Sequence, residues 1–350
     1  MTPALHGFPA DWDNWVRAAG RAGSFLQTSH WARIDQAVNK SQPILVELVD
    51  SGARRAGALF RWQIPRMNTL LPRLRTKVAG LSNGTLECLA GPVLGTTAQR
   101  DQLDRLLRRV ADLAHQLGIR RVRFSGRPPS AEWPDELDEV FAAHGYRCEP
   151  WLTALVDIAR GDDALLASFR QAARKGIRRC QEFGIVVREC TDADEYLRDF
   201  SRPLFATRAA LNMPVEPDQP EQSWWALDEG RHYRYFVARN ADGAVLGMLG
   251  TYRWNGTATE IMSERTILAR DMHWPVQDLL HWEAFRVHRG LGDSLFDLAG
   301  FSPSPRHDKE QGIRHFKEKW QGRVASMSSF ESYKPNAAAR IVHALRGAAP

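Results

Sequence analysis

Apolar and polar residues alternate through two stretches between Pro43 and Pro65, ILVELVD and AGALFRWQI, parted by a turn around Ser51-Gly52-Ala53. That pattern predicts a β-hairpin. The plan returns between Tyr233 and Trp254, where YRYFVAR and AVLGMLGTYRW flank the turn Asn240-Ala241-Asp242-Gly243. Its Asp-Gly pair suits a tight hairpin. Behind each hairpin the period changes from two to 3.6, so that DQLDRLLRRVADLAHQLG and PVQDLLHWEAFRVHRGLG read as amphipathic helices. Short strands follow, IRRVRFSG and DSLFDLAG. Leu117-Gly118 precedes Gly126 by the same interval at which Leu291-Gly292 precedes Gly300, which predicts a helix-capping and a strand-ending glycine in each half.

Hairpin, helix, glycine, strand and glycine thus occur twice in one order, an internal duplication. Antiparallel strands joined through a helix to a further strand give an α/β fold of mixed sheets with helices on their faces. At 350 residues the chain exceeds the usual size of one core. The expected boundary falls near Glu149-Pro150, giving units 1–150 and 151–335 and an alanine- and arginine-rich tail over 336–350.

Hydrophobic residues make up 43% and charged residues 25%, the balance of a globular enzyme and not of a disordered chain. Apolar runs such as Ala244 to Gly250 fall far short of the roughly 20 residues needed to span a bilayer. The opening MTPALHGFPADWDNW has acids and tryptophans where a signal peptide needs a basic start and an apolar stretch, so the expectation is a cytoplasmic protein without stable membrane insertion. Cys88, Cys148, Cys180 and Cys190 show neither metal-ligand nor disulfide spacing, which leaves them as reduced thiols with no metal. Of 47 basic residues seven are lysines, leaving 40 arginines, and the formal net charge is +6. Genome base composition and selection for phosphate-rich partners both produce such a skew, since guanidinium forks bind phosphate in a bidentate way.

The segment DDALLASFRQAARKGIRRCQEF, Asp162 to Phe183, reads as one helix ended by Gly184, with Leu165, Phe169, Ala172 and Ile177 as its buried stripe. On another face Arg170, Arg174 and Arg178 repeat at i, i+4 and i+8, joined by Lys175 and Arg179. Like charges at that spacing repel, so this face suits an external anion or is simply solvated. A second group, Arg120, Arg121, Arg123 and Arg127, lies on or just after a strand, where alternation marks an exposed face.

Four segments resemble the FemA/FemB/FemX proteins, peptidyltransferases that use aminoacyl-tRNA to build peptidoglycan cross-bridges. They are FLQTSHWARID at Phe25 to Asp35, LAGPVL at Leu89 to Leu94, TALVDI with SFRQAARKGIRRCQEFGIVV at Thr153 to Val187, and FDLAGFS with GIRHFKEKWQGR at Phe296 to Arg323. The most specific element is Gly312-Ile313-Arg314-His315-Phe316-Lys317. The resemblance implies two tandem domains of the GNAT acyltransferase fold. It implies attack by an amine on the ester of aminoacyl-tRNA, with that ester as co-substrate and no other cofactor. It assigns Lys317 to the oxyanion or to substrate phosphate, and Phe316, Trp31, Arg208 and Tyr252 to substrate binding. Arg170, Arg174, Lys175, Arg178 and Arg179 would meet phosphate or tRNA. The amine-bearing acceptor would be a peptidoglycan precursor or a small molecule. Two positions depart from the pattern on the acceptor side: Asp35 stands where many relatives carry lysine, and Gly95 where an acid often follows the GPVL-type motif. The helical arm of larger relatives is absent from Phe205 to Tyr233.

Other chemistries fit less well. Arg17-Ala18-Ala19-Gly20-Arg21-Ala22 has the letters of an acetyl-CoA diphosphate cradle but precedes the sheet instead of following a central strand. No GxSxG is present, and His281, His288, His307 and His315 form no ligand pattern; His307 and Asp308 lie just ahead of Gly312. Two alternatives to the aminoacyl transferase stay open, an N-acyltransferase of polysaccharide or metabolite synthesis and a non-catalytic RNA-binding scaffold.

Overall fold

The computed structural model describes residues 8–20, 23–63, 84–95, 98–126, 136–213, 228 and 230–333. Arg127 and the segment 336–350 lie outside them, as does most of Phe205 to Tyr233 beyond Met213. The chain divides into two compact units, one holding the chain to Gln36, Lys40–Pro150 and the chain from Ser328, the other Ala37–Asn39 and Trp151–Met327.

In the first unit β1 (Gln42–Asp50) and β2 (Ala53–Gln63) form the expected antiparallel hairpin. Ser51 and Gly52 both take positive φ at its turn, the primed geometry that matches the twist of the strands. β3 (Thr85–Leu89) and the short β4 (Val93–Leu94) both pair with β2. The helix Gln99–Gln116 then crosses over to β5 (Arg121–Ser125), which lies parallel to β3. β6 (Arg147–Glu149) closes this half of the chain.

The second unit repeats the plan. β7 (Leu152–Asp157) enters it, β8 (Val186–Glu189) lies at one edge, and β9 (Tyr233–Arg239) and β10 (Val245–Trp254) form the second hairpin. β11 (Thr257–Arg265) is antiparallel to β10, and the helix Val276–Gly290 crosses over to β12 (Leu295–Phe301), which runs parallel to β11. β13 (Arg323–Ser326) pairs with β7, completing the order β13-β7-β12-β11-β10-β9-β8. The duplication read from the sequence is therefore a duplication of mixed sheets.

Its helix ends match in detail. Gly118 and Gly292 have φ of +64° and +87°, and the next amides, Ile119 and Asp293, donate back to the carbonyls of Ala114 and His288 at 2.8 and 3.0 Å. This is the Schellman closure, which needs a left-handed residue. The strand-ending glycines differ: Gly126 has φ of +66°, but in the second copy it is Ala299, at +62°, that turns left-handed ahead of Gly300.

Two expectations need correction. The second unit does not run to 335, because β14 (Ser329–Tyr333) inserts between β5 and β6 of the first sheet. Phe330 explains it, stacking on Phe141 with ring centroids 4.1 Å apart inside the core that also holds Phe60, Phe124 and Tyr146. The segment Asp162 to Phe183 is two helices, Asp162–Ser168 and Gln171–Glu182, broken where Phe169 turns extended to fill the second core beside Phe285 and Trp320. The break rotates the second helix, so Ala173, Gly176, Ile177 and Cys180 face inward and Ala172 is exposed.

Candidate active site

β11 and β12 pair only where Thr257–Thr259 meets Leu295–Asp297. Beyond that the two strands part, and a cleft of about 960 Å³ opens between Glu260–Arg265 on one side and Gly300 with the helix Asp308–Glu318 on the other. The start of the helix Val276–Gly290 and the residues Arg208, Leu211 and Met213 complete its walls. A bulge opposite Gly250 and Thr251 leaves Ile261 outside the β10–β11 ladder.

The helix carrying Phe316 and Lys317 begins at His307, whose Nδ1 accepts from the Glu310 amide at 3.4 Å, and has Asp308 and Glu310 in its first turn and His315 and Lys317 in its last. Acids at the amino end and bases at the carboxyl end suit the helix dipole. His307 thus serves as a cap. Lys317 turns inward from its amphipathic helix and is only 6% exposed. Its Nζ donates to the carbonyls of Ala299 and Gly300 at 3.0 and 2.9 Å. Those carbonyls lie at the register shift of β12 between Asp297 and Gly300, where the ladder with β7 is interrupted. Burial pulls the Lys317 ammonium below its ordinary pKa, and the nearby carboxyls of Glu260 and Asp297 oppose that pull. Asp297 is pushed up by its own burial, although the Thr153 hydroxyl and the Ala299 amide donate to it.

Phe316 lines the cleft beside Lys317 and packs edge-on against His281, with centroids 4.9 Å apart. Lys319 is also turned inward, making an ion pair with the buried Asp278 and lying 4.0 Å from the Phe316 ring centroid. Burial raises the Asp278 carboxyl and lowers the Lys319 ammonium, so each depends on the other for its charge. Six cationic side chains line the cleft against three acidic ones. Arg270 pairs with Glu264, while burial and the neighbouring Arg270 both depress the Arg265 guanidinium. Arg208 brings a buried Nε with no hydrogen-bond partner among the described residues.

Of the residues singled out from sequence, the cleft gathers Lys317, Phe316 and Arg208. Tyr252 is buried in β10 against Tyr233 and is not part of the lining. Trp31 is buried in the helix Ser29–Asn39 of the first unit. The arginines of the basic segment play unlike parts. Arg174 donates to the carbonyls of Ala167 and Phe169 and so closes the helix break, and Arg170 lies 3.9 Å from Glu318. Lys175, Arg178 and Arg179 remain on the exposed face, outside the cleft. On the first sheet Arg121 and Arg123 pair with Glu331 and Glu149.

Both departures from the family pattern have a structural account. Asp35 is buried, accepts from the Ser41 hydroxyl and lies 3.5 Å from Arg61. At Gly95 a side chain would meet the Arg55 carbonyl oxygen at 3.0 Å, and the Gly95 amide is already held by that oxygen and by Gln102. Sequence reasoning missed Glu260, His281, Asp278 and Lys319. An acid on an alternating strand and a lone helical histidine carry no local signal; only the element Gly312 to Lys317 pointed here.

Each unit has a hairpin, a third strand, a crossover helix and a parallel strand that follows it, and in the second unit that strand splays away; two such units in one chain make a tandem GNAT fold. Among solved structures the chain has the fold of FemX, with a TM-score of 0.70 and 13% identity over 96% of this chain and 97% of that one. It is also similar to the C-terminal domain of a putative lysylphosphatidylglycerol synthetase from Agrobacterium fabrum, at TM-score 0.53, 15% identity and coverage of 92% and 94%. A tandem GNAT protein from the clavulanic acid biosynthesis pathway matches at TM-score 0.52 and 13% identity, covering 84% of each chain. No protein-family model and no curated protein matches the sequence. Among the described residues no helix is long and apolar enough to cross a membrane.

Proposed function

We propose that this chain is an acyltransferase that moves an aminoacyl group from aminoacyl-tRNA to an amine, forming an amide. The observation that carries this reading is the buried ammonium of Lys317 on the wall of a cationic cleft between splayed parallel strands, in a FemX-like fold. The donor ester is already activated, so the task is to align the amine and stabilise the oxyanion. An ammonium has three N–H donors; two are spent on Ala299 and Gly300, which fixes its position, and the third is available to a carbonyl oxygen entering the cleft. Phe316, half-buried next to Lys317 in the chain, lines the same cleft and would shield that side from water.

The acyl-CoA alternative draws less support. A diphosphate at the amino end of the helix Val276–Gly290 would meet the Asp278 carboxylate, and the preceding residues TILARDMHWP include no glycine to let backbone amides approach it. Many relatives carry at the position of Asp35 a lysine that can meet a diphosphate, whereas Asp35 is buried against Ser41 and Arg61 and supplies no such cation. This favours a small-molecule amine over a nucleotide-linked peptidoglycan precursor. Incubation with a mixed pool of charged tRNAs and candidate amines, read by mass spectrometry, tests the proposal. New amide that disappears with Lys317→Met supports it, and no amide from any pair leaves the RNA-binding scaffold as the better reading.

A further inference from the structure

Glu260 stands on β11 just past its last pairing with β12, and its Oε2 lies 3.1 Å from Nε2 of His281. His281 is fully buried, ringed by Phe285, Phe296, Phe316 and Trp320. Its other nitrogen, Nδ1, lies 2.7 Å from the carbonyl oxygen of Gln277. A carbonyl oxygen only accepts, so Nδ1 carries a hydrogen. A neutral ring fixed in that tautomer has a bare lone pair at Nε2, and an ionised carboxylate at this distance would set lone pair against lone pair. One more proton therefore belongs between the two groups. Whether written as imidazolium with carboxylate or as imidazole with carboxylic acid, the couple holds it. The charged groups around it are Lys317 and Asp297, which interact with Glu260, and Asp278, which interacts with His281 and is bound to Lys319. Glu260 and Lys317 line the same cleft.

We propose that Glu260, backed by His281, is the proton carrier of the transfer reaction; this rests on the acyl-transfer reading above. The nitrogen lone pair of the amine forms the C–N bond, and the carbonyl π pair moves onto the oxygen beside Lys317. When that pair returns, the ester C–O bond breaks and the departing alcohol oxygen takes the couple's proton. The nitrogen, positively charged after attack, returns a proton to Glu260. The couple ends with the proton count at which it began, and no further reactant is needed. Lys317 stays an ammonium throughout, so the two cleft residues divide the work: one holds charge and the other moves the proton.

Two measurements test the proposal. In the full-length protein labelled with 15N and 13C, long-range ring spectra and the Glu260 carboxyl shift are expected to show a proton on His281 Nε2 or on the carboxyl, whereas Glu260→Gln leaves a neutral ring protonated at Nδ1 alone. An ionised Glu260 together with a bare Nε2 in the native protein overturns the proposal. With the mixed charged-tRNA pool and candidate amines, Glu260→Gln is expected to lower kcat by about a hundredfold or more while donor KM stays within about twofold, the range of lost acid–base catalysis. A kcat within about tenfold of native overturns the carrier role and leaves the acyl-transfer reading standing, since that loss falls below the usual acid–base contribution. A native protein that forms no amide, yet shows the shared proton, overturns the acyl-transfer reading and the role built on it.

Discussion

Gly176 lies so close to Asp278 that a methyl group in place of its hydrogen would sit 2.0 Å from the Asp278 Oδ2. The glycine lets the helix Gln171–Glu182 press against the first turn of the helix Val276–Gly290, over the carboxylate that Lys319 neutralises. Gly176→Ala is expected to destabilise the protein by about 1–3 kcal/mol, because overpacking outweighs the roughly 1 kcal/mol gained in helix propensity. Thermal unfolding measures it, and an unchanged or raised Tm would show that the carboxylate moves aside freely.

Lys317→Met keeps the length of the side chain and removes its donors. The carbonyls of Ala299 and Gly300 then lose their partner, at about 1–3 kcal/mol of stability, and in the proposed transfer the oxyanion would lose its opposing charge, at about a hundredfold or more in kcat. Lys317→Arg should recover part of the stability but little of the rate, since a planar fork cannot reproduce the ammonium's position. Denaturant titration and turnover separate the two effects.

Asp278→Asn removes the charge that faces Lys319. A buried ammonium without its partner destabilises by about 3 kcal/mol, and the Lys319 pKa should fall further, because burial already depresses it and Asp278 opposes that. Lys319→Met in the same background should restore part of the loss, which a double-mutant cycle in urea would reveal.

Asp293 accepts from His288 Nδ1 at 3.0 Å and from Arg253 at 3.0 and 3.1 Å. Burial pushes its carboxyl up, but the hydrogen bonds from His288 and Arg253 outweigh burial and hold it below its ordinary 3.8. A carboxyl lowered in the folded state stabilises at pH above its unfolded value and loses that contribution as pH falls through the folded one. Asp293→Asn should therefore cost about 3 kcal/mol at neutral pH. The gap to native should narrow as pH falls below about 4, the unfolded carboxyl taking up its proton first and the native one only at lower pH.

Lys175, Arg178 and Arg179 are exposed cations of the basic segment, as is Arg170 beside Glu318, whereas Arg174 is spent on backbone carbonyls. Reversing charge at Arg178 and Arg179 is expected to weaken tRNA binding and reduce the salt slope of log Kd by about two, with little change in Tm. An unaltered slope would make this face merely solvated.

The sequence alone determined what is local. Alternation, a change of period to 3.6 and repeated glycines described each hairpin, crossover helix and following strand, because each is made by contacts within a few residues of chain. Pairing across long separations was decided only in the tertiary structure. β14 returns to the first sheet because Phe330 finds its place in that core, a choice invisible in the five residues SFESY. Phe169 breaks a pattern that reads as one helix because the second core needs its ring more than the helix needs the turn. The inward turn of Lys317 and Lys319 and the couple of Glu260 with His281 arise where β11 and β12 part. No short-range pattern records where two strands cease to pair, so the chemistry set in that gap had to be read from the fold.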